Sequence, residues 1–216
     1  MEGCVAMGGV LLDLVAKPDK ADPMRLVMTE ESIRIGNERA SETFSWDEID
    51  RVAYRAVDHH VNGSYLNTTF TIQVGSGKRT ARFELYSSTT GFLKTKVDTD
   101  KRDANQEKWR EAVGILEDRV CLRIATEAVA TVLAGGSTSL GGVRIDPQGI
   151  HKDGMFKKTV AWSEVAGTRN GSPYFSVLAR KGTKEKPKIQ VNSGLWNQVL
   201  LSRVINAIAA RITTPQ

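Results

Sequence analysis

The sequence predicts an α+β protein made of two copies of one fold in tandem, each an antiparallel β-roll or sandwich capped by a C-terminal α-helix. Three observations predict it. The segment Leu26-Val27-Met28-Thr29-Glu30-Glu31-Ser32-Ile33-Arg34 is echoed 117 residues later by Val143-Arg144-Ile145-Asp146-Pro147-Gln148-Gly149-Ile150-His151. Each copy then passes through a short polar turn to a tryptophan, in Phe44-Ser45-Trp46-Asp47-Glu48-Ile49 and in Val160-Ala161-Trp162-Ser163-Glu164-Val165, now at an offset of 116. Each copy closes on an amphipathic helical pattern that contains or begins with another tryptophan, Trp109 or Trp196. Landmarks that recur in one order at one period are the signature of duplication, so Trp46, Glu48, Trp109, Trp162, Glu164 and Trp196 mark the structural repeat.

In the first copy, Leu26 to Met28, Ile33 to Ile35, Thr43 to Trp46 and Ile49 to Val57 carry the β-branched and aromatic content of strands between polar breaks. The runs Phe70 to Val74 and Ala81 to Leu85 alternate apolar and polar residues, which puts one face on a core and one in water. Asn62-Gly63 suits a hairpin turn that needs positive φ, and Gly75-Ser76-Gly77 separates the two alternating runs. A helix of about 104–133 follows, with Asp103 as N-cap and Gln106 three residues on. Trp109, Ala112, Val113, Leu116 and Val120 form its apolar stripe, leaving Glu107, Glu111, Glu117 and Asp118 solvated. The apolar run ends at Gly135-Gly136-Ser137-Thr138-Ser139, so the domains are 1–133 and 134–216. The second copy is trimmed: Asn170-Gly171 turns between Val165 and the run Tyr174 to Leu178. Its helix, about 194–212, is capped by Asn192-Ser193 and packs Trp196, Val199, Leu200, Val204 and Ile208. Residues 1–23 read equally as a strand of the first roll or as an arm.

The 216 residues are 40% hydrophobic and 25% charged, the balance of a folded globular chain rather than a disordered one. Two cysteines, Cys4 and Cys121, fit a reduced compartment better than a disulfide scaffold. The run Val10 to Val15 is short, contains Asp13 and follows Glu2, which argues against a signal peptide. No stretch approaches the roughly 18 apolar residues a spanning helix needs. These features place the expected location in the cytoplasm, at most peripheral to a membrane.

Signatures of catalysis are sparse. In Gly75-Ser76-Gly77-Lys78-Arg79, Ile72 stands where a phosphate loop needs its first glycine and Arg79 where it needs Ser or Thr, so a tight hairpin explains the fragment. No nucleophile elbow, Ser-x-x-Lys or His-Glu-x-x-His pattern occurs. His59 and His60, adjacent in a strand, point to opposite faces and cannot readily share a metal; with His151 they read as solvated loop residues. Cys121 reads as a buried inert thiol. Glu48 and Glu164 tempt a paired-carboxylate reading, but duplication explains their equivalence better. No catalytic residue, cofactor or metal is called for.

Charge is the informative property. The net +5 conceals 18 Lys and Arg against 21 Asp and Glu in residues 1–133, and 12 against 4 in residues 134–216, or −3 beside +8. The dense run Arg180-Lys181-Gly182-Thr183-Lys184-Glu185-Lys186-Pro187-Lys188, if extended, puts Lys184, Lys186 and Lys188 on one face. Lys152, Lys157 and Lys158 form a second basic hairpin. Such lysines either protect a strand edge or hold an anionic surface.

Strands followed by one helix, with Gly149-Ile150, a short turn and Trp162-Ser163-Glu164-Val165, resemble the bacterial pleckstrin-homology-like (PH-like) domains. The second half in particular is similar to bacterial proteins of uncharacterised function that carry two such domains in tandem, and the resemblance runs from about Met24 onward. It implies a helix-capped β-roll and no catalysis. It also makes an anionic phospholipid surface or a protein partner the natural ligand of Lys152, Lys157, Lys158, Arg180, Lys181, Lys184, Lys186 and Lys188. The expected function is therefore a noncatalytic binding or scaffold module. The alternatives are a small enzyme using a cleft between the copies and a weak nucleic-acid binder. The second is least favoured, because only Tyr174 and Phe175 lie near the basic run to stack on bases. Exposed strand edges leave a homo-oligomer open.

Overall fold

The computed structural model describes residues 9–17, 20–90, 96–153, 157–171 and 173–213. Cys4 lies outside them. The chain forms two compact units, Met1–Val120 and Cys121–Gln216.

In the first unit, β1 (Val10–Ala16), β2 (Met24–Thr29), β3 (Ser32–Gly36) and β4 (Ser41–Ser45) make one antiparallel meander. A second sheet follows, built from β5 (Arg51–Val61), β6 (Ser64–Ser76), β7 (Arg79–Thr90) and the short β8 (Lys96–Val97). The N-terminal run is thus a strand, paired to β2 from Val10 to Ala16. Strand β7 packs against all four strands of the first sheet. Leu26, Met28, Ile33 and Phe44 from one sheet and Phe70, Ile72 and Phe83 from the other are almost wholly buried between them. The β5–β6 turn is the anticipated one, Asn62 at φ 50° and Gly63 at 79°, the pair of positive values a two-residue hairpin requires.

Helix α1 (Thr99–Leu116) packs on β6 and β7. It starts five residues earlier than the capping pattern at Asp103 suggests, because Asp98 accepts the Lys101 N–H at 3.0 Å and serves as the cap. Trp109 lies edge-on to Tyr54 at 6.2 Å and donates its indole N–H to the Thr71 carbonyl. Glu117, expected in water, is half-buried and accepts the Tyr54 hydroxyl.

The pattern expected as one long helix runs without a break to Leu133, with a π-helical turn inside it. A π-helical turn, Glu117–Cys121, follows α1, and α2 (Leu122–Leu133) groups with the second unit. The two compact units meet between Val120 and Cys121, ahead of the glycine break after Leu133. The reason is packing: α2 buries Ile124, Ala125, Ala128, Val129 and Val132, and it lies against the final helix and the first strand of the second unit. Cys121 is fully buried, as expected for an inert thiol.

The second unit repeats the plan. Strands β9 (Thr138–Leu140), β10 (Val143–Asp146), β11 (Gly149–Lys152) and β12 (Lys158–Ala161) form a four-stranded meander. Strands β13 (Val165–Arg169), β14 (Tyr174–Lys181) and β15 (Lys184–Asn192) form a three-stranded one. Val143, Ile145, Ile150 and Val160 occupy the places of Leu26, Met28, Ile33 and Phe44 and are equally buried. Helix α3 (Leu201–Thr213) begins after a 3₁₀ turn, Gln198–Leu200, and not near residue 194. Asn197 takes a left-handed φ of 59°, which stops a helix from extending back through Trp196. Trp196 is half-buried ahead of the helix, and its carbonyl accepts the Gly141 N–H at 3.0 Å.

Candidate functional site

The repeat is a matter of hydrogen bonds as well as sequence. Trp46 donates its indole N–H to the Thr29 carbonyl at 3.1 Å, and Trp162 donates to the Asp146 carbonyl at 2.9 Å. In each unit the acceptor is the last residue of the second strand in the register that the sequence echo defines. The side chains of those two residues also cap the following turn identically. Thr29 Oγ1 accepts from the N–H groups of Glu31 and Ser32, and Asp146 Oδ1 from those of Gln148 and Gly149. Glu48 and Glu164 have diverged. Glu48 accepts the Ser45 N–H and pairs with Arg79 at 2.7 Å, whereas Glu164 is exposed in a 3₁₀ turn, Trp162–Glu164.

The second unit carries a polar chain where the first has Val27, Thr29, Arg34 and Thr43. Asp146, nearly buried, accepts His151 Nε2 at 2.9 Å and pairs with Arg144, while His151 Nδ1 meets Thr159 Oγ1 at 3.2 Å. His151 is therefore not a solvated loop residue. It sits in β11 across from Thr159, its side chain 15% exposed. Burial pushes the Asp146 carboxyl up. The His151 hydrogen bond, the Gln148 N–H, the His151 charge and the Gly149 N–H outweigh burial and hold it below the ordinary value of 3.8. A carboxylate that binds two turn N–H groups and Arg144 is committed to the fold. His59 and His60 lie exposed in β5 near its hairpin turn, His59 beside Thr69 and His60 edge-on to Tyr65. Among the described residues, no group of three or more His, Cys, Asp or Glu could hold a metal.

The eight basic residues fall into two sets. On the β14–β15 hairpin, Lys181 lies opposite Lys184 and Ala179 opposite Lys186, so Lys181, Lys184 and Lys186 share one face of the ladder. Arg180, opposite Glu185, takes the other face. Lys188 does not join them. The register passes from Ile189 to Pro187 across consecutive residues of β14, so Lys188 is the extra residue of a bulge and the two-residue period breaks there. Pro187 beside it lacks an N–H to donate, and β15 is an edge strand where that is tolerated. In the second set, Lys152 pairs across the ladder with Lys158, with Lys157 adjoining. Lys152 Nζ donates to the Gln190 carbonyl at 2.5 Å, which ties β11 to β15 and so links the two sets.

Clustering distinguishes these cations from the exposed lysines of the first unit, Lys20, Lys78, Lys101 and Lys108, which are spread along the chain and likewise pair with no carboxylate among the described residues. Apart from half-buried Lys152, all eight are exposed, and among the described residues none is within ion-pair distance of a carboxylate. In the first unit, Arg25, Arg79, Arg82 and Arg119 are paired with Asp13, Glu48, Glu84 and Glu30. Dividing the chain at residue 120 moves Arg123 and Glu127 together and leaves the unit charges at −3 and +8. Which arginines meet a carboxylate could not be read from the sequence, because it depends on which strands become neighbours.

No helix among the described residues is long and apolar enough to cross a membrane. Compared with known proteins, the chain matches no family model, and none of the curated proteins matches it.

Proposed function

We propose that this chain is a tandem PH-like, noncatalytic binding module that recognises anionic surfaces through its second unit. The observation that carries the reading is the cluster of cations without ion pairs on the β14–β15 and β11–β12 hairpins, in a unit of net charge +8 beside one of −3. A repeated scaffold of two successive antiparallel sheets followed by a helix supports the PH-like assignment, as does the duplicated tryptophan-to-carbonyl bond. Its ligand is an anionic phospholipid surface or an acidic segment of a protein partner, and the module works in the cytoplasm at the membrane periphery. Each lysine near an anionic membrane contributes about 1 kcal/mol, so Lys181, Lys184, Lys186, Lys152, Lys157 and Lys158 together give weak, salt-sensitive recruitment.

Vesicle sedimentation tests the reading. The full chain pellets with phosphatidylserine-containing vesicles at low salt, pellets less as salt rises, and stays in solution with neutral vesicles. Equal partitioning onto neutral and anionic vesicles overturns the lipid form. The protein form then rests on lysate capture that charge reversal at Lys181, Lys184 and Lys186 abolishes.

A further inference from the structure

We propose that the groove between α2 and α3 of the second unit is a docking site for an acidic amphipathic helix of a protein partner. Leu122, Ala125 and Val129 follow one another along α2 at three- and four-residue spacing, and Arg203, Ala207 and Arg211 follow at four-residue spacing along α3. Both rows border a groove of about 240 Å³. The small alanines keep its floor open, and Leu122 at its end is 56% exposed, a large apolar side chain left in water by its own unit.

The chemistry of the occupant follows from size and charge. A space of this volume falls below the roughly 300–1,000 Å³ typical of sites that engulf a small molecule, and it suits the anchor side chains that a helix lays into an apolar groove. The lining contains two arginines and no acidic residue. Eight residues along α3 separate the arginines by about 12 Å, the spacing of carboxylates two turns apart on a docked helix. A helix bearing apolar anchors flanked by Glu or Asp at that spacing meets charge-assisted donors at both ends, and one bearing lysines meets repulsion. The +8 charge of the unit favours the same partner at long range. None of the lysine-hairpin cations lines the groove, so the inference stands or falls separately from vesicle binding.

The test uses the full chain and two synthetic helical peptides. One has leucines at three- and four-residue spacing flanked by glutamates two turns apart, and the other has lysines in place of the glutamates. Fluorescence anisotropy is expected to show binding of the acidic peptide only, weakening as salt rises. Arg211→Glu, at the exposed end of α3, weakens binding about tenfold, and Ala207→Trp, which fills the groove, abolishes it. Should Ala207→Trp lose its far-UV circular dichroism, Arg211→Glu alone decides. Equal binding of the two peptides, no binding of the acidic one, or acidic-peptide binding untouched by Arg211→Glu overturns the proposal. A loss of anionic-vesicle binding in Arg211→Glu with no peptide binding also overturns it and assigns the groove to a membrane.

Discussion

Truncating Asp146 to alanine separates a carboxylate that holds a turn from one that merely decorates a surface. Its Oδ1 accepts from Gln148 N at 2.9 Å, Gly149 N at 3.1 Å and His151 Nε2 at 2.9 Å, while Oδ2 pairs with Arg144. A hydrogen bond to a charged group contributes about 1.5–3 kcal/mol, and a buried donor left unpaired costs about 1–3 kcal/mol. The bond to the Gly149 N–H is buried, so bulk water does not readily replace the oxygen when the side chain is gone. Because truncation also removes the cost of burying the carboxylate, the net expectation for Asp146→Ala is a loss of about 3 kcal/mol, below the sum of the separate bonds. Thr29, its equivalent in the first unit, offers a neutral hydroxyl to donors that are exposed or half-buried, so Thr29→Ala costs about 1 kcal/mol. Asp146→Asn keeps the oxygen and falls between. Urea unfolding, with hydrogen exchange resolving the two units, measures all three. The pH dependence has a fixed sign. The folded carboxyl titrates below its ordinary value of 3.8, so its contribution is fully present above that value and disappears as pH falls through the depressed folded one. The gap between the native chain and Asp146→Ala therefore narrows on acidification below about pH 4. A gap under about 1 kcal/mol, one that stays constant with pH, or one matched by Thr29→Ala rules out a turn-holding role for the ionised Asp146 carboxylate.

Trp162→Phe leaves the buried Asp146 carbonyl without its indole donor and is expected to cost about 1–3 kcal/mol. Trp46→Phe costs no more, its bond being only part-buried, and chemical denaturation of both compares them. Gly141 sits at φ 55°, where an added Cβ would lie 2.7–2.8 Å from Leu201 and Gln198; Gly141→Ala should lower the melting temperature by several degrees through strain and displacement of the α3 start. Tyr54→Phe removes the hydroxyl held by Glu117 and should speed exchange of the last-turn amides of α1 without changing exchange in the second unit.

The strands were legible where alternation or β-branched runs coincided with a turn signal, as at Phe70 to Val74 and Asn62-Gly63, because local chemistry decides those positions. The repeat was legible because its landmarks are large and buried: Trp46 and Trp162 recur where a core needs bulk and a carbonyl needs a donor. Helix boundaries were not. Asp98 outcompeted Asp103 as a cap, and nothing local in Glu117–Cys121 marks the π-helical turn or the point where packing passes from one unit to the other. The second unit's polar chain was missed because Asp146, His151 and Thr159 meet only when β10, β11 and β12 pair. Asp146 at the strand end with Gly149 three residues on was the available signal, being an Asx-turn pattern. The lysine hairpin was legible in composition but not in facing. The bulge at Lys188 comes from the register between β14 and β15, which alternation alone does not contain.

Two charge reversals compared in one vesicle-sedimentation series at low salt test most directly whether the basic second unit is the contact surface. Lys181→Glu, Lys184→Glu and Lys186→Glu are combined in one protein. The other carries Lys78→Glu, in the corresponding two-residue hairpin turn of the acidic first unit. The triple variant is expected to lose anionic-vesicle binding by well over tenfold, at about 1 kcal/mol for each lysine before the added repulsion, while Lys78→Glu binds as the native chain does. Binding that survives the triple reversal, or that Lys78→Glu weakens as much, contradicts the assignment of the basic second unit as the contact surface.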